Sequence, residues 1–438
     1  MPAGPSPAAR SGSAPVAHHR RGIVARFAAM RQAGRTALAA FLAILGPGLL
    51  AGLSDDDPAG ITTYSVLGAE FGYQLLWIIP LSTVLLVQFH LLAVRIGAAT
   101  GQGFVAVIRR RWGRGWGYAA AVALVFANFG TICAEYAGVA AAGSLIGIPA
   151  WVSAPLAGVL IATVIIIGSF HRVERVLLVV SATLALYVVD GIMAAPAWGA
   201  VAVGSVVPTL PVTRAGWLAI AAALGTTLAP WGLAFIQSYA VDKQITRATL
   251  RYARWDVIIG SVLTGVIGVA VAVACAATLH VAGIRIDSAS DAAAALRPLA
   301  GPAATLLFGT GLLGASLLAA AIVPVATAYS LAEAAAVPAS LGLDGRHFQW
   351  FYAAFVLLVA AAASIVSLPG LPLISLIYTS QVVNAVLLPL HLAVLVILGA
   401  DASLLGDAVS PRWVTRMGWL SVALTVACIG ALAWSWWT

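Results

Sequence analysis

Apolar residues run in long unbroken stretches along this chain, and polar residues gather between them. From Phe41 onward eleven such stretches follow, at about 41–69, 73–97, 117–146, 151–169, 175–197, 215–240, 255–282, 303–336, 349–367, 372–399 and 415–437. Each is near the ~20 residues that a helix needs to cross a bilayer. None alternates polar and apolar at every second residue, as the strands of a transmembrane β-barrel do. The pattern predicts an all-α multi-pass membrane protein.

Composition strengthens that reading. Of 438 residues, 62% are hydrophobic and 9% charged, where soluble domains carry about 25% charged residues. Single soluble cores stop growing near ~250–300 residues, so lipid must solvate most of this chain. Soluble enzymes, nucleic-acid modules and disordered scaffolds are thereby excluded. The net charge of +8 follows topology and is not a binding stripe. Arg10, Arg20, Arg21, Arg26, Arg31 and Arg35 precede the first apolar stretch, in a tail over 1–40 that holds no acid. The tail reads as a disordered basic cytoplasmic segment, though an organellar transit peptide shares its composition. With the N-terminus cytoplasmic, Arg109, Arg110, Arg111, Arg114, Arg172, Arg175, Lys243, Arg247, Arg251, Arg254, Arg346, Arg412 and Arg416 fall inside. Only Arg214, Arg285 and Arg297 fall outside. This is the positive-inside pattern. An odd number of spans puts the C-terminus outside, with Trp434, Trp436 and Trp437 at the outer interface. A bacterial inner membrane is the expected location. Cys133, Cys275 and Cys428 lie within apolar stretches at no ligand spacing and read as core residues.

Two stretches are interrupted. The first contains Ser54-Asp55-Asp56-Asp57-Pro58-Ala59-Gly60, the sixth Gly225-Thr226-Thr227-Leu228-Ala229-Pro230-Trp231-Gly232. Each has a proline followed two residues later by glycine, which removes a backbone donor and weakens the helix. Stretches one and six occupy corresponding positions in two five-segment halves, about 41–197 and 215–399, with a final helix at about 415–437. Paired interruptions of this kind point to a transporter built of inverted repeats, with its site at the midplane. Ordinary proline kinks are the plainer alternative. The acids beside the first break speak against it.

Most of the fifteen acids belong to loops or to segment ends. Asp55, Asp56, Asp57 and Glu135 remain at membrane depth, where a carboxylate implies function. No Lys or Arg in stretches one or six sits at matching depth, so a cation is the simplest partner. Asp57, directly before Pro58, is the best-placed ligand. The carbonyls of Ser54 and Thr226, freed by the breaks, are natural companions. Stretch ten adds Gln381 and Asn384, three apart on one helix face. For Asn384, glue between helices is an equal reading. Pro58, Gly60, Ala229 and Pro230 shape the two breaks. All these ligands are oxygens, which suit Mg²⁺, Ca²⁺ and Mn²⁺.

These residues resemble the Nramp divalent-metal transporters. The resemblance runs through Gly46-Pro47-Gly48, Asp57-Pro58, Phe71-Gly72-Tyr73 and Leu76-Trp77. It continues through Arg95-Ile96-Gly97, Thr100-Gly101, Ala134-Glu135, the broken sixth stretch and Ser380-Gln381-Val382-Val383. It implies a LeuT-like fold of two inverted five-helix repeats plus an eleventh helix, alternating access, and import of divalent cations. It also implies Asp57 and Gln381 as ligands, and Glu135 as an intramembrane acid in a proton or polar relay. Four positions depart from the pattern of the Mn²⁺/Fe²⁺ importers. Gly60 stands for an amide ligand, and Ala229 for a sulfur ligand. Ile132 and Trp231 stand for titratable groups of the proton route. The departures resemble those of the Nramp-related magnesium transporters, which implies Mg²⁺ or Mn²⁺ entry without proton coupling. The alternatives are a proton-coupled Mn²⁺/Fe²⁺ importer and an amino-acid transporter of LeuT fold. An enzyme is not expected: Asp55-Asp56-Asp57 has no second acidic cluster such as membrane prenyltransferases need, and no helix carries a metalloprotease histidine pair. Neither cofactor nor nucleic-acid partner is expected.

Overall fold

The computed structural model describes residues 56–167, 186–210, 213–246, 249–296, 301–337 and 349–437. The basic tail, Ser54, Asp55, Arg172, Arg175, Arg247, Arg297 and Arg346 lie outside the described residues. The described chain is helical: α1 Pro58–Phe71, α2 Ile78–Thr100, α3 Phe104–Trp112, α4 Arg114–Ser144, α5 Ala150–Ile166, α6 Leu186–Met193, α7 Trp198–Val206, α8 Arg214–Thr227 and α9 Pro230–Asp242. Then follow α10 Leu250–Cys275, α11 Ala289–Ala294, α12 Ala304–Ala335, α13 Gln349–Val366, α14 Leu373–Ala400 and α15 Arg412–Trp434.

Seven helices among the described residues have the length and hydropathy to cross a membrane, counting α8 and α9 as one interrupted span. Ala150–Ile166 and Trp350–Val366 are shorter apolar helices. The boundaries follow local chemistry. Gly72, at φ 58°, ends α1, so the predicted second stretch starts as turns and its helix begins only at Ile78. Gly101, at φ 63°, ends α2 in the left-handed conformation that glycine adopts without strain. The seventh span begins earlier than its apolar run, at Leu250, because Arg251 and Arg254 extend the helix while keeping their heads at the surface. The short helices α3, α7 and α11 lie between the long runs, where hydropathy gives no signal.

Packing centres on α4, which lies along α12 and α14, with α1 set against α10, α8, α14 and α4. Alanine, glycine and serine dominate α4 and α12, and small residues let helices approach closely where lipid supplies no hydrophobic drive. The interrupted span α8–α9 is enclosed: all of its most apolar window is buried, against 33% for α15. Large apolar side chains such as Trp116, Phe126, Trp151, Leu156 and Trp419 point outward. The Arg214 guanidinium lies 3.5 Å above the Trp436 ring, so the start of α8 and the end of α15 share one side. Arg111 Nε donates to Asp401 at 2.6 Å, which joins the end of α3 to the end of α14.

Candidate functional site

The first break begins with a capped helix. Asp57 holds extended backbone angles and its Oδ1 accepts the Gly60 N–H at 2.7 Å. Pro58 takes the first helical position, where its missing N–H is no loss. One oxygen of Asp57 is thus occupied by a cap and the other is left for a different partner. Asp56 is 2% exposed, and neither of its oxygens has a hydrogen-bond partner. The Pro58 ring lies directly on Gly138 of α4; a Cβ there would overlap it. That approach sets the Glu135 carboxyl, almost one turn earlier on α4, near Asp57. Both oxygens of the fully buried Glu135 stand without a hydrogen-bond partner.

The second break has no side-chain cap. α8 ends at Thr227, Leu228 and Ala229 leave helical geometry, and Pro230 opens α9. Pro230 cannot donate to the carbonyl four residues back, which belongs to the buried Thr226. The neighbouring Thr227 hydroxyl joins three helices. It pairs with the Tyr64 hydroxyl of α1 at 2.8 Å, accepts from Ser82 of α2 at 3.1 Å, and donates to the Ala223 carbonyl at 2.7 Å. Gly225 abuts the backbone of Gln381 and Ala385 on α14, leaving no room for a Cβ.

A third line of contacts joins α4 to α14. Asn384 Nδ2 donates to Thr131 Oγ1 at 2.9 Å and to Gln381 Oε1 at 3.1 Å, and Gln381 Nε2 donates to Ser380 Oγ at 2.7 Å. Asn128, one turn before Thr131, donates to Thr327 of α12 at 2.9 Å. The expected residues therefore form a chain of neighbours. Asp57 meets Glu135 across α1 and α4, Thr131 meets Asn384 across α4 and α14, and Gln381 meets Gly225, beside Thr226, across α14 and α8. Asn384 serves as a helix-to-helix link, yet its Oδ1 has no donor.

Electrostatically the site is one-sided. Among the described residues the one side-chain ion pair is Arg111–Asp401, far along the sequence from these carboxyls. Among the described residues, no group of three or more His, Cys, Asp or Glu gathers in a form that could hold a metal. A cation at this place would meet Asp57, with the carboxyls of Asp56 and Glu135 close by, and neutral oxygens. Ile132 and Trp231 are buried and apolar, at 0% and 1% exposure. Trp231 begins an aromatic row down α9 with Phe235, at 6.3 Å between centroids, and Tyr239, which stacks on Phe235 at 4.9 Å.

Sequence reasoning missed Tyr64, Ser82, Asn128, Thr131 and Thr227, because neutral hydroxyls and amides carry no charge signal. The spacing of Asn128, Thr131 and Glu135 by three and then four, one face of α4, was available to find part of it. It also missed Glu333, read only as an acid near a helix end. The Glu333 carboxylate accepts the Val105 and Ala106 N–H groups at 2.9 and 3.2 Å and the Ser238 hydroxyl at 2.6 Å, capping α3 from α12.

The Nramp family profile, described as natural resistance-associated macrophage protein-like, matches residues 48–435. Two divalent metal cation transporters MntH, from Klebsiella pneumoniae strains MGH 78578 and 342, are each 31% identical over 403 residues, spanning 89% of this chain and 94% of their own. Among solved structures, the manganese transporter of Eremococcus coleocola shares 23% identity and a TM-score of 0.70, over 90% of this chain and 87% of that one. Mhp1, a nucleobase-cation-symport-1 family transporter, shares 14% identity and a TM-score of 0.51, over 89% of this chain and 93% of its own. These two likenesses bear out the LeuT-like fold. With its family profile matched from residue 48 to 435, the chain belongs to the Nramp family.

Proposed function

We propose that this membrane protein, a divalent metal cation transporter of the Nramp type, carries Mg²⁺ and Mn²⁺ into the cytoplasm by alternating access and without proton coupling. The observation that carries the reading is the set of partnerless buried oxygens beside two proline breaks: both of Asp56, both of Glu135 and one of Asn384. Buried oxygens without donors are rare in folded proteins, and a bound cation is one partner that satisfies them. The names of the MntH relatives and of the Eremococcus manganese transporter support the same class of cargo.

In this reading Asp57, the Thr226 carbonyl and Gln381 hold the ion, with Ser54, Asp55, Asp56 and Asn384 as further oxygens around it. Ala229 offers no sulfur and Gly60 no amide, so nothing here favours soft metals over hard ones. Mg²⁺ gives up water reluctantly, so in this reading it enters the site partly hydrated. Membrane potential supplies the drive, about 2.3 kcal/mol per charge per 100 mV and about twice that for a divalent ion. The two halves at about 41–197 and 215–399 act as inverted repeats, within one transporter domain spanning 41–438. The protein sits in a bacterial inner membrane with its N-terminus cytoplasmic and its C-terminus outside.

One observation favours a second reading, proton-coupled import. The buried Glu135 carboxyl lies near Asp57 with neither oxygen hydrogen-bonded, a place for a proton that an arriving divalent ion would displace. Proteoliposomes loaded with a pH-sensitive dye and held at a fixed potential separate the two. Uniport predicts Mg²⁺ entry with no change of internal pH. Internal acidification that scales with metal entry, or uptake driven by an acidic exterior alone, would establish the coupled reading.

A further inference from the structure

Away from the transport site, the turn between α3 and α4 builds a cavity of about 450 Å³. Arg109, Arg110 and Arg114 line it together with Gln102 and Glu333. Gly113, at φ 98°, makes the turn that sets the two arginines ending α3 beside the one that opens α4. Gly117 lies under the Arg109 stem with too little space for a Cβ, so the base of that side chain packs closely on α4.

Arginines in a connecting loop ordinarily mark topology and stay in water. This group departs from that. The Arg109 Nε is buried and has no hydrogen-bond partner, and neither does the Gln102 Oε1 beside it. None of the three lining arginines forms an ion pair among the described residues, while Arg111 on the same helix is committed to Asp401. The one acid in the lining, Glu333, is already committed to the α3 amides and to Ser238. Three cations, one of them with an idle buried donor, therefore face one hydrogen-bonded carboxylate across a space wide enough for a small ligand.

We infer that this cavity binds a phosphate group. Guanidinium forks match phosphate oxygens in pairs, and a bound phosphate would use the idle Nε of Arg109. The phosphate could belong to an anionic lipid headgroup or to a soluble ion; the chemistry is shared. The location gives binding a route to transport. The Gln102 carbonyl accepts from Gln237 of α9 at 3.1 Å, and Glu333 ties α3 to Ser238 of α9, so the cavity wall is bonded to the second half of the broken span.

The test uses the full-length protein in neutral detergent, with its thermal unfolding followed by tryptophan fluorescence. Dioctanoyl phosphatidylglycerol, dioctanoyl phosphatidylcholine and inorganic phosphate are titrated in turn. The inference expects saturable stabilisation by phosphatidylglycerol or by phosphate, none by phosphatidylcholine, and half-saturation raised about tenfold in Arg109→Gln/Arg114→Gln. Stabilisation by phosphatidylglycerol alone identifies lipid as the source; a response to phosphate as well identifies a soluble anion. If neither ligand acts, if phosphatidylcholine matches phosphatidylglycerol, or if the variant responds as the parent does, the inference is overturned. Should the double variant not yield monodisperse protein, Arg110→Gln at its exposed position decides. Weakening of about threefold is then expected, and an unchanged response counts against the site.

Discussion

The two helix breaks share a backbone device and differ in charge. Each has a proline at the first helical position, and at the second the proline leaves the Thr226 carbonyl, four residues back, without its usual donor. At the first, a carboxylate caps the helix and a second buried carboxylate precedes it; at the second, Ala229 supplies no cap and Thr226 offers only a carbonyl. Under the proposed function, the pair is a way for a membrane protein to gather ligands for a cation while burying few acids. One break brings negative charge, the other brings neutral oxygen, and α4 and α14 hold them together through Glu135, Thr131, Asn384 and Gln381.

The sharpest way to break this comparison is to remove the charge while keeping the cap. Asp57→Asn retains an N-cap side chain, and Asp57→Ala removes it. Both are expected to reduce metal influx to background in proteoliposomes. Only the alanine variant is expected to lose about 1 kcal/mol of stability on thermal unfolding. If Asp57→Asn still transports, the carboxylate is a cap and nothing more.

The second break is tested by crowding it. Gly225→Ala places a methyl group against the Gln381 backbone. Overpacking of this kind should cost about 1–3 kcal/mol and lower the melting temperature, with influx falling as α8 separates from α14. Chemical selectivity comes next. Ala229→Met returns a soft donor to the neutral break and should tighten Cd²⁺ binding about tenfold in calorimetry, with Mg²⁺ affinity unchanged. A smaller effect is expected where the breaks are tied to each other. Tyr64→Phe deletes the bond to Thr227 and should cost about 0.5–1.5 kcal/mol in thermal unfolding.

The smallest effect lies outside the membrane, at Asp401. The Ser403 side chain, followed by Arg111, holds its carboxyl down at about 2. A depressed folded-state value stabilises the fold above the unfolded value of about 3.9 and loses that contribution as pH falls through about 2. The parent should therefore lose slightly more thermal stability than Asp401→Asn between about pH 4 and 2. The Arg111 side chain is about half exposed to solvent, so the difference should be small.

How much was legible in the sequence depended on the kind of signal. Long spans follow from lipid as the solvent, and they lie close to the apolar runs. Both breaks are written as Pro and Gly inside those runs, which local backbone chemistry enforces wherever the chain folds. Asp57 and Glu135 could be picked out because a carboxylate at membrane depth is conspicuous. Their proximity could not, since it arises from Gly138 admitting the Pro58 ring, a contact between distant segments. Thr227 and Thr131 were hidden for another reason. Hydroxyls are common in apolar helices, where they usually bond back to their own helix, and only packing shows which of them reach across. The three arginines beside Gln102 read as topology until their shared cavity and the idle Arg109 Nε came into view.

The central claim is that the charge of Asp57 receives a hard divalent ion at the first break. Its most direct measurement is Mn²⁺ influx into proteoliposomes with and without excess Mg²⁺, for the parent and for Asp57→Asn. The account predicts that Mg²⁺ suppresses influx in the parent and that the variant is silent. Mn²⁺ influx undiminished by excess Mg²⁺, or a variant that transports as the parent does, would contradict it.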